Sequence, residues 1–540
     1  MAAAGAHSEQ LVLVVLLLLV IAFGALSRRL GVPYPIVLLV GGLAVSFVPG
    51  LPRPALDPGV IFLAVLPPLL YAAAWHTSWR EFSRDLAEIA SLAVGVVALT
   101  VAGVALTAGW ILPGLDGRAG FVLGAVVATT DAIAATSIAR RMGLPRRTVA
   151  LLEGESLVND ATGLLALELG IALLVRGAAP SVGYALLRLG FLVVAGIGVG
   201  LLLGWVVDWV ERRIDDGPIE IAISILVPYG AYLVADAIHA SGVLAVVTAG
   251  LYLSRRSARF FSPEVRIQAY AVWDALTFIL NGMVFVLLGL QLPVVLAGIR
   301  DLGPGRLVPA GAALGAVVIG LRLLGVIPAA GLAAWIRRHV LRQEAAMPPP
   351  RQLFVLGWAG MRGVVALAAA MALPVATAGG APFRQRNAIV FLTFCVIVAT
   401  LLLQGLALPP LVRALGLEGS AGPDCEEPEA RRIVLEAALA RLDELRASGR
   451  DGPVLEAIYD DVGEHYRHRL AALSRAHPAG RGADRPPPRG RRREVLRELL
   501  RAEREAVIRL RDERRISDEV LRRIEREIDL SDARLPPLAR

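Results

Sequence analysis

The chain has 540 residues, 56% of them hydrophobic, with a mean hydropathy of +0.62 and a formal net charge of +8. That composition excludes a soluble globular protein of this length and points to an all-α polytopic membrane protein. The positive charge does not argue for nucleic acid, because arginines flanking membrane helices give the same total, and the chain contains no lysine. Two cysteines, Cys395 and Cys425, provide neither a disulfide framework nor zinc-ligand spacing.

The N-terminal MAAAGAHSEQ lacks the basic region of a cleaved signal peptide, so the first apolar run is expected to be a retained span. Apolar runs then recur at 11–26, 33–50, 59–75, 87–112, 119–139, 149–175, 182–209, 219–237, 241–254, 274–298, 307–336, 351–373 and 387–412. They predict about thirteen transmembrane helices. Arginines crowd the loops after odd-numbered runs, among them Arg28, Arg29, Arg140, Arg141, Arg146, Arg147, Arg212, Arg213, Arg337 and Arg338. The loops after even-numbered runs hold far fewer. The positive-inside rule therefore predicts an external N-terminus and a cytoplasmic C-terminus. Trp75, Trp79, Trp205, Trp209 and Trp335 fall near span ends, as interfacial anchors do.

The pattern changes after residue 413. Residues 1–413 read as the membrane domain, and 414–540 as a cytoplasmic helical C-terminal domain with apolar residues at helical spacing amid dense mixed charge. A Pro/Arg/Gly stretch at 477–493 predicts a flexible linker within it. A solvated bundle that aids dimerisation or stability is the plain expectation for this tail; a regulatory role is the alternative.

Three polar interruptions break the apolar pattern in mid-span: Thr129, Thr130 and Asp131 in the fifth run, GESLVND (154–160) in the sixth, and GMRG around Arg362 in the twelfth. In the sixth, Glu155 and Asn159 share a helix face, as do Ser156 and Asp160, and the two pairs adjoin. This polar stripe cannot face lipid and must point into the bundle. Arg362 stays protonated and needs a counter-ion, for which Glu155 is the natural choice. That leaves Asp160 without a permanent partner. Desolvation penalises its charged form, so a proton or a small cation, each cancelling the same charge, can exchange there. Thr130, Ser156, Asp131 and backbone carbonyls can supply oxygens to a hard monovalent cation, and Asn159 adds an amide. Runs five and twelve occupy matching places if spans one to six and eight to thirteen are two inverted six-helix repeats with broken crossing helices, the arrangement that marks a midplane site in transporters.

Other polar residues have plainer readings. Glu153 is expected at the rim, His76 at the interface, and Asp236 and His239 in local packing or lining a cavity. A channel would need repeated pore loops or charge rings, which are not evident. An intramembrane serine enzyme would need a second glycine that GESLV lacks.

In PPLLY (67–71), TTDAIA (129–134), EGESLVND (153–160), YLVADAIHASGVLAVVTAGLYL (232–253), WDALTFILNGMVFVLLGLQL (273–292), LRLLGV (321–326) and GMRGVVAL (360–367), the chain resembles the monovalent cation:proton antiporters, NhaP-type and sodium/hydrogen-exchanger branch. The resemblance implies exchange of Na⁺ (or Li⁺) for H⁺, with K⁺ the rival cation, in pH and sodium homeostasis. It implies no cofactor and a homodimer in the cell membrane whose core moves against a scaffold. Asp160 then matches the exchanging carboxylate, Thr130, Asp131, Ser156 and Asn159 the cation site, and Glu155 with Arg362 a buried structural pair, which Arg322 could share or take. The Asn-Asp order of residues 159 and 160 implies electroneutral exchange. One departure is Ala132, where many members carry proline.

Overall fold

The computed structural model describes residues 2–49, 57–176, 181–299, 304–343, 347–376, 382–419, 426–447 and 453–476, together with Leu530. The expected linker at 477–493 and the helical stretch after it lie outside the described residues. The chain divides into two compact units, Met1–Gly422 and Pro423–Arg540.

Among its described residues the first unit is helical, apart from turns and one isolated bridge between Ala376 and Pro382. Its helices run in the order α1 (Ala2–Leu30), α2 (Tyr34–Val45), α3 (Pro58–His76), α4 (Trp79–Arg84), α5 (Leu86–Ile111), α6 (Gly117–Ala128), α7 (Ala132–Arg141) and α8 (Arg146–Arg176). They continue as α9 (Val182–Glu211), α10 (Gly217–Ala237), α11 (Gly242–Phe260), α12 (Pro263–Leu290), α13 (Leu292–Gly298), α14 (Pro304–His339), α15 (Pro350–Trp358), α16 (Val364–Met371) and α17 (Arg386–Ala414). Among the described residues, 10 helices are long and apolar enough to cross a membrane, α6 with α7 and α12 with α13 each counting as one, and α2 is a shorter apolar helix. The expected run at 241–254 is the apolar part of α11, which continues into Arg255 and Arg256. The run at 351–373 is two half-helices, α15 and α16, rather than one rod.

Hydropathy located these helices but not their ends. α12 begins eleven positions before the apolar run because Ser262 caps it, its hydroxyl accepting from Val265 N at 3.3 Å, with Pro263 at the first helical position. α6 starts in the same way at Asp116, whose carboxylate accepts from Ala119 N at 2.8 Å.

Packing gathers the helices into two groups. α5 lies against α6, and α6 against α8, α16 and α17, while α14 runs along α5, α15 and α17. In the other group α2 packs on α12 and α1, and α11 on α3, α9 and α10. Contacts between the groups are sparser. α6 is the hub of the first group: every residue from Val122 to Ala128 is buried. A helix apolar all round belongs inside a bundle rather than at its edge.

In the second unit, α18 (Glu426–Ala447) and α19 (Pro453–Ala476) pack on each other, tied by Arg446 to Asp460 at 2.6 Å.

Candidate functional site

The site is built from the two broken spans and the middle of α8. α6 ends at Ala128, and Thr129 to Asp131 leave the helical path before α7 begins at Ala132. Asp131 caps α7, its Oδ1 accepting from Ile133 N at 2.8 Å. The cap makes the break with Ala132, not a proline, at the first helical position: a proline there would only pre-set a conformation that Ala132 adopts here. Across from it, α15 stops at Trp358 and α16 starts at Val364, leaving Ala359 to Gly363 irregular. The two interruptions are joined where Asp131 N donates to Met361 O at 2.8 Å.

Charge placement follows the helix ends. Asp131 sits at the N-terminus of α7, and its carboxylate lies against Gly363, which caps the N-terminus of α16. Arg362 does the opposite. Its Nε donates to Val127 O at 3.0 Å near the C-terminus of α6, and its Nη1 donates to Gly360 O just past α15. An anion at two helix N-termini and a cation at two C-terminal ends each offset the local dipole charge. The glycines are required by proximity: a Cβ on Gly363 would overlap the Asp131 carboxylate, and one on Gly360 would overlap the Arg322 side chain.

This geometry corrects one expectation. Glu155 is paired with Arg322, not with Arg362: Nη1–Oε1 is 2.6 Å and Nη2–Oε2 2.9 Å, and both side chains are 2% exposed. Among the described residues Arg362 forms no ion pair, and its backbone N donates to Thr400 Oγ1 at 3.2 Å. The reason lies in the backbone. Arg362 reaches carbonyls at the helix breaks, Val127 O and Gly360 O, whereas Arg322, midway along α14, reaches the Glu155 carboxylate and, among the described residues, only one carbonyl, Leu356 O at 3.3 Å. A planar guanidinium also meets a carboxylate edge to edge through two parallel N–H···O bonds.

On α8 the polar stripe points inward, with Glu155, Asn159 and Asp160 buried. Asn159 Nδ2 donates to Thr130 Oγ1 at 2.5 Å, and Ser156 Oγ donates to Thr130 O at 3.0 Å. Thr162 Oγ1 donates to Ala93 O at 2.8 Å, within a π-helical turn of α5 at Ser91–Val96, which fixes α8 against α5. Asp160 is 6% exposed, and no described residue hydrogen-bonds or ion-pairs with its carboxylate. It lines a cavity of about 420 Å³ together with Thr129, Thr130, Asp131 and Ser156. Glu153 stands on the rim of that cavity, paired with Arg140 at 2.6 Å.

Some residues were not singled out by sequence. Tyr34 of α2 and Asp274, Thr277 and Asn281 of α12 form the facing wall of the cavity. Asn281 is a buried amide in mid-helix, and that polarity was the available signal. A charge knot with buried carboxylates was also missed: Arg337 and the partly exposed Arg147 converge on Asp85 and Glu88, with Arg147–Glu88 at 2.5 Å and Arg337–Glu88 at 3.2 Å. These residues lie far apart in sequence, and only the carboxylate pair at i, i+3 hinted at them.

Residues 14–414 match the family described as sodium/hydrogen exchanger, transmembrane. The chain is 34% identical over 528 residues to an uncharacterised Na⁺/H⁺ exchanger of Mycobacterium tuberculosis (strain ATCC 25618 / H37Rv), covering 97% of this chain and 96% of that one. It is 31% identical over 415 residues to a Na⁺/H⁺ antiporter of Aphanothece halophytica, covering 76% and 75%. Among solved structures, the fold is similar to a sodium proton antiporter of Methanocaldococcus jannaschii, with a TM-score of 0.58 and 20% identity over 76% of this chain and 99% of the other. On a match this long and relatives this similar, the chain belongs to the transmembrane sodium/hydrogen exchanger family, and it is a secondary transporter rather than an enzyme.

Proposed function

We propose that this protein exchanges Na⁺ (or Li⁺) for H⁺ across the cell membrane by alternating access around Asp160, serving pH and sodium homeostasis. The observation that carries the reading is a buried carboxylate with no fixed partner, facing a cavity lined with further oxygens. A charge so placed is costly alone and is settled by a proton or a cation. Asp160 binds one or the other. Ser156, Thr130 and Asp131 supply the remaining oxygens, and Asn159 holds Thr130 in position. The Glu155–Arg322 pair is structural, and Arg362 braces the helix break.

The exchange is one for one and electroneutral. The helix termini offset the charge of Asp131, which leaves one exchanging carboxylate, so each turnover moves one cation against one proton. No cofactor is needed, because the opposing gradient drives the cycle. The protein works as a homodimer, with about thirteen spans in two inverted repeats, the N-terminus outside and the C-terminal helical domain in the cytoplasm. Runs of arginine at one set of loops and sparse arginine at the other support that orientation.

The test is cation-stimulated dissipation of a pH gradient in proteoliposomes, with Na⁺, Li⁺ and K⁺ compared. Asp160→Asn is expected to abolish exchange while the protein remains folded. Near-parental exchange by that variant would remove Asp160 from the mechanism. A response to an imposed membrane potential would refute electroneutrality.

A further inference from the structure

A second cavity, of about 350 Å³, lies further along α8. Along α8 the first cavity touches Glu153, Ser156, Leu157 and Asp160, and the second touches Ala161, Leu164, Leu165 and Glu168. The two therefore approach the middle of α8 from opposite ends, meeting at consecutive residues. The far wall of the second cavity is the start of α9, the end of α10 and the start of α11, all from the other helix group.

Arg188 of α9 crosses this second cavity. Its Nε and Nη2 donate to the two carboxylate oxygens of Glu168 at 3.2 and 3.3 Å, and its Nη1 donates to His239 O at 2.9 Å. His239 is a non-glycine residue in the left-handed region, with φ 56°. Such a conformation persists only where the surroundings hold it, and here its carbonyl is engaged by Arg188. α8 also packs on α11 but makes few other contacts with α9, so this side chain is the main tie between the helix carrying Asp160 and α9, and it reaches the α10–α11 turn as well. With Arg188 neutralising Glu168, Asp236 is the remaining acid lining the cavity.

We propose that Arg188 is a latch that closes the route to Asp160 from the end of α8 opposite the first cavity, and that its release frees the exposed Glu168 carboxylate to act with Asp236 as an acidic mouth for the cation. Two carboxylates in a recess raise the local cation concentration, whereas a guanidinium across it repels the same ions. The proposal rests on the alternating-access reading above. It adds which side chain holds the second route shut and which acids receive the ion when it opens.

The test is thiol labelling in membrane vesicles, with Cys395 and Cys425 replaced by serine and a single reporter, either Leu164→Cys in the second cavity or Ser137→Cys in the first. A membrane-impermeant maleimide is applied from the side that bears each reporter. With Arg188→Gln, labelling of Leu164→Cys is expected to rise about two- to fivefold and labelling of Ser137→Cys to fall, the population shift that a partly exposed ion pair can supply. Glu168→Gln, which keeps the bond to His239, should act in the same direction and more weakly. Unchanged Leu164→Cys labelling in folded Arg188→Gln or Glu168→Gln protein, or faster labelling of both reporters together, would overturn the latch. Labelling needs no turnover, so a failure here is distinct from survival of exchange in Asp160→Asn.

Discussion

Replacing Arg322 by methionine tests the assignment of the buried ion pair. The parent pair is bidentate at 2.6 and 2.9 Å, with each side chain 2% exposed. Removing the guanidinium leaves the Glu155 carboxylate buried with no cation bonded to it, a loss of roughly 3–5 kcal/mol for a broken buried pair. That corresponds to a factor of about 10² to 10⁴ in the folded-to-unfolded ratio. Replacing both partners, Arg322→Met with Glu155→Leu, removes the stranded charge and should return stability to within about 1 kcal/mol of the parent, because apolar substitution of a whole buried pair is close to neutral. Equilibrium unfolding in mixed micelles titrated with SDS gives the four corners of the double-mutant cycle. Arg362→Met, whose parent side chain bonds to carbonyls, should lose stability without comparable rescue by Glu155→Leu. If Glu155→Leu rescued Arg362→Met more than Arg322→Met, the pairing described here would be wrong.

Two further outcomes follow from the same geometry. Gly363→Ala would drive a methyl group into the Asp131 carboxylate, so exchange should fall at least about tenfold or folded yield should drop, a displacement of roughly 1 Å at a site being enough for such losses; a fully active Gly363→Ala protein would show that Asp131 need not lie against the start of α16. Because a proton and a cation compete for one carboxylate at Asp160, the apparent KM for Na⁺ should rise as pH falls, approaching about tenfold per pH unit where the protonated form dominates; exchange measured over a range of Na⁺ at several pH values reads this slope, and a KM independent of pH would refute one-site competition.

Much of the fold could be read from one dimension because lipid imposes one-dimensional rules. An apolar stretch must be helical to satisfy its own backbone, so the helices appear in the sequence as runs, and the breaks at Thr129–Asp131 and around Arg362 appear as polar letters in those runs. The α8 stripe was equally legible, since residues four apart share a face whatever the helix packs against. Helix ends were less so: α12 extends past its apolar run because a Ser-Pro cap, not hydropathy, sets its start.

What the sequence by itself determined, then, is which residues are polar inside the membrane and which of them share a helix face. Partnership was decided only by tertiary structure. Two arginines and one glutamate stood as candidates, and nothing local distinguishes Arg322 from Arg362 as the mate of Glu155. The difference arises because the crossing broken helices bring carbonyls from residues 127 and 360, more than two hundred positions apart in the chain, to Arg362, while Arg322 meets the Glu155 carboxylate and one carbonyl, Leu356 O. The walls of the two cavities and the Arg188 bridge are likewise products of packing between helix groups, where contacts depend on distances that the order of residues does not encode.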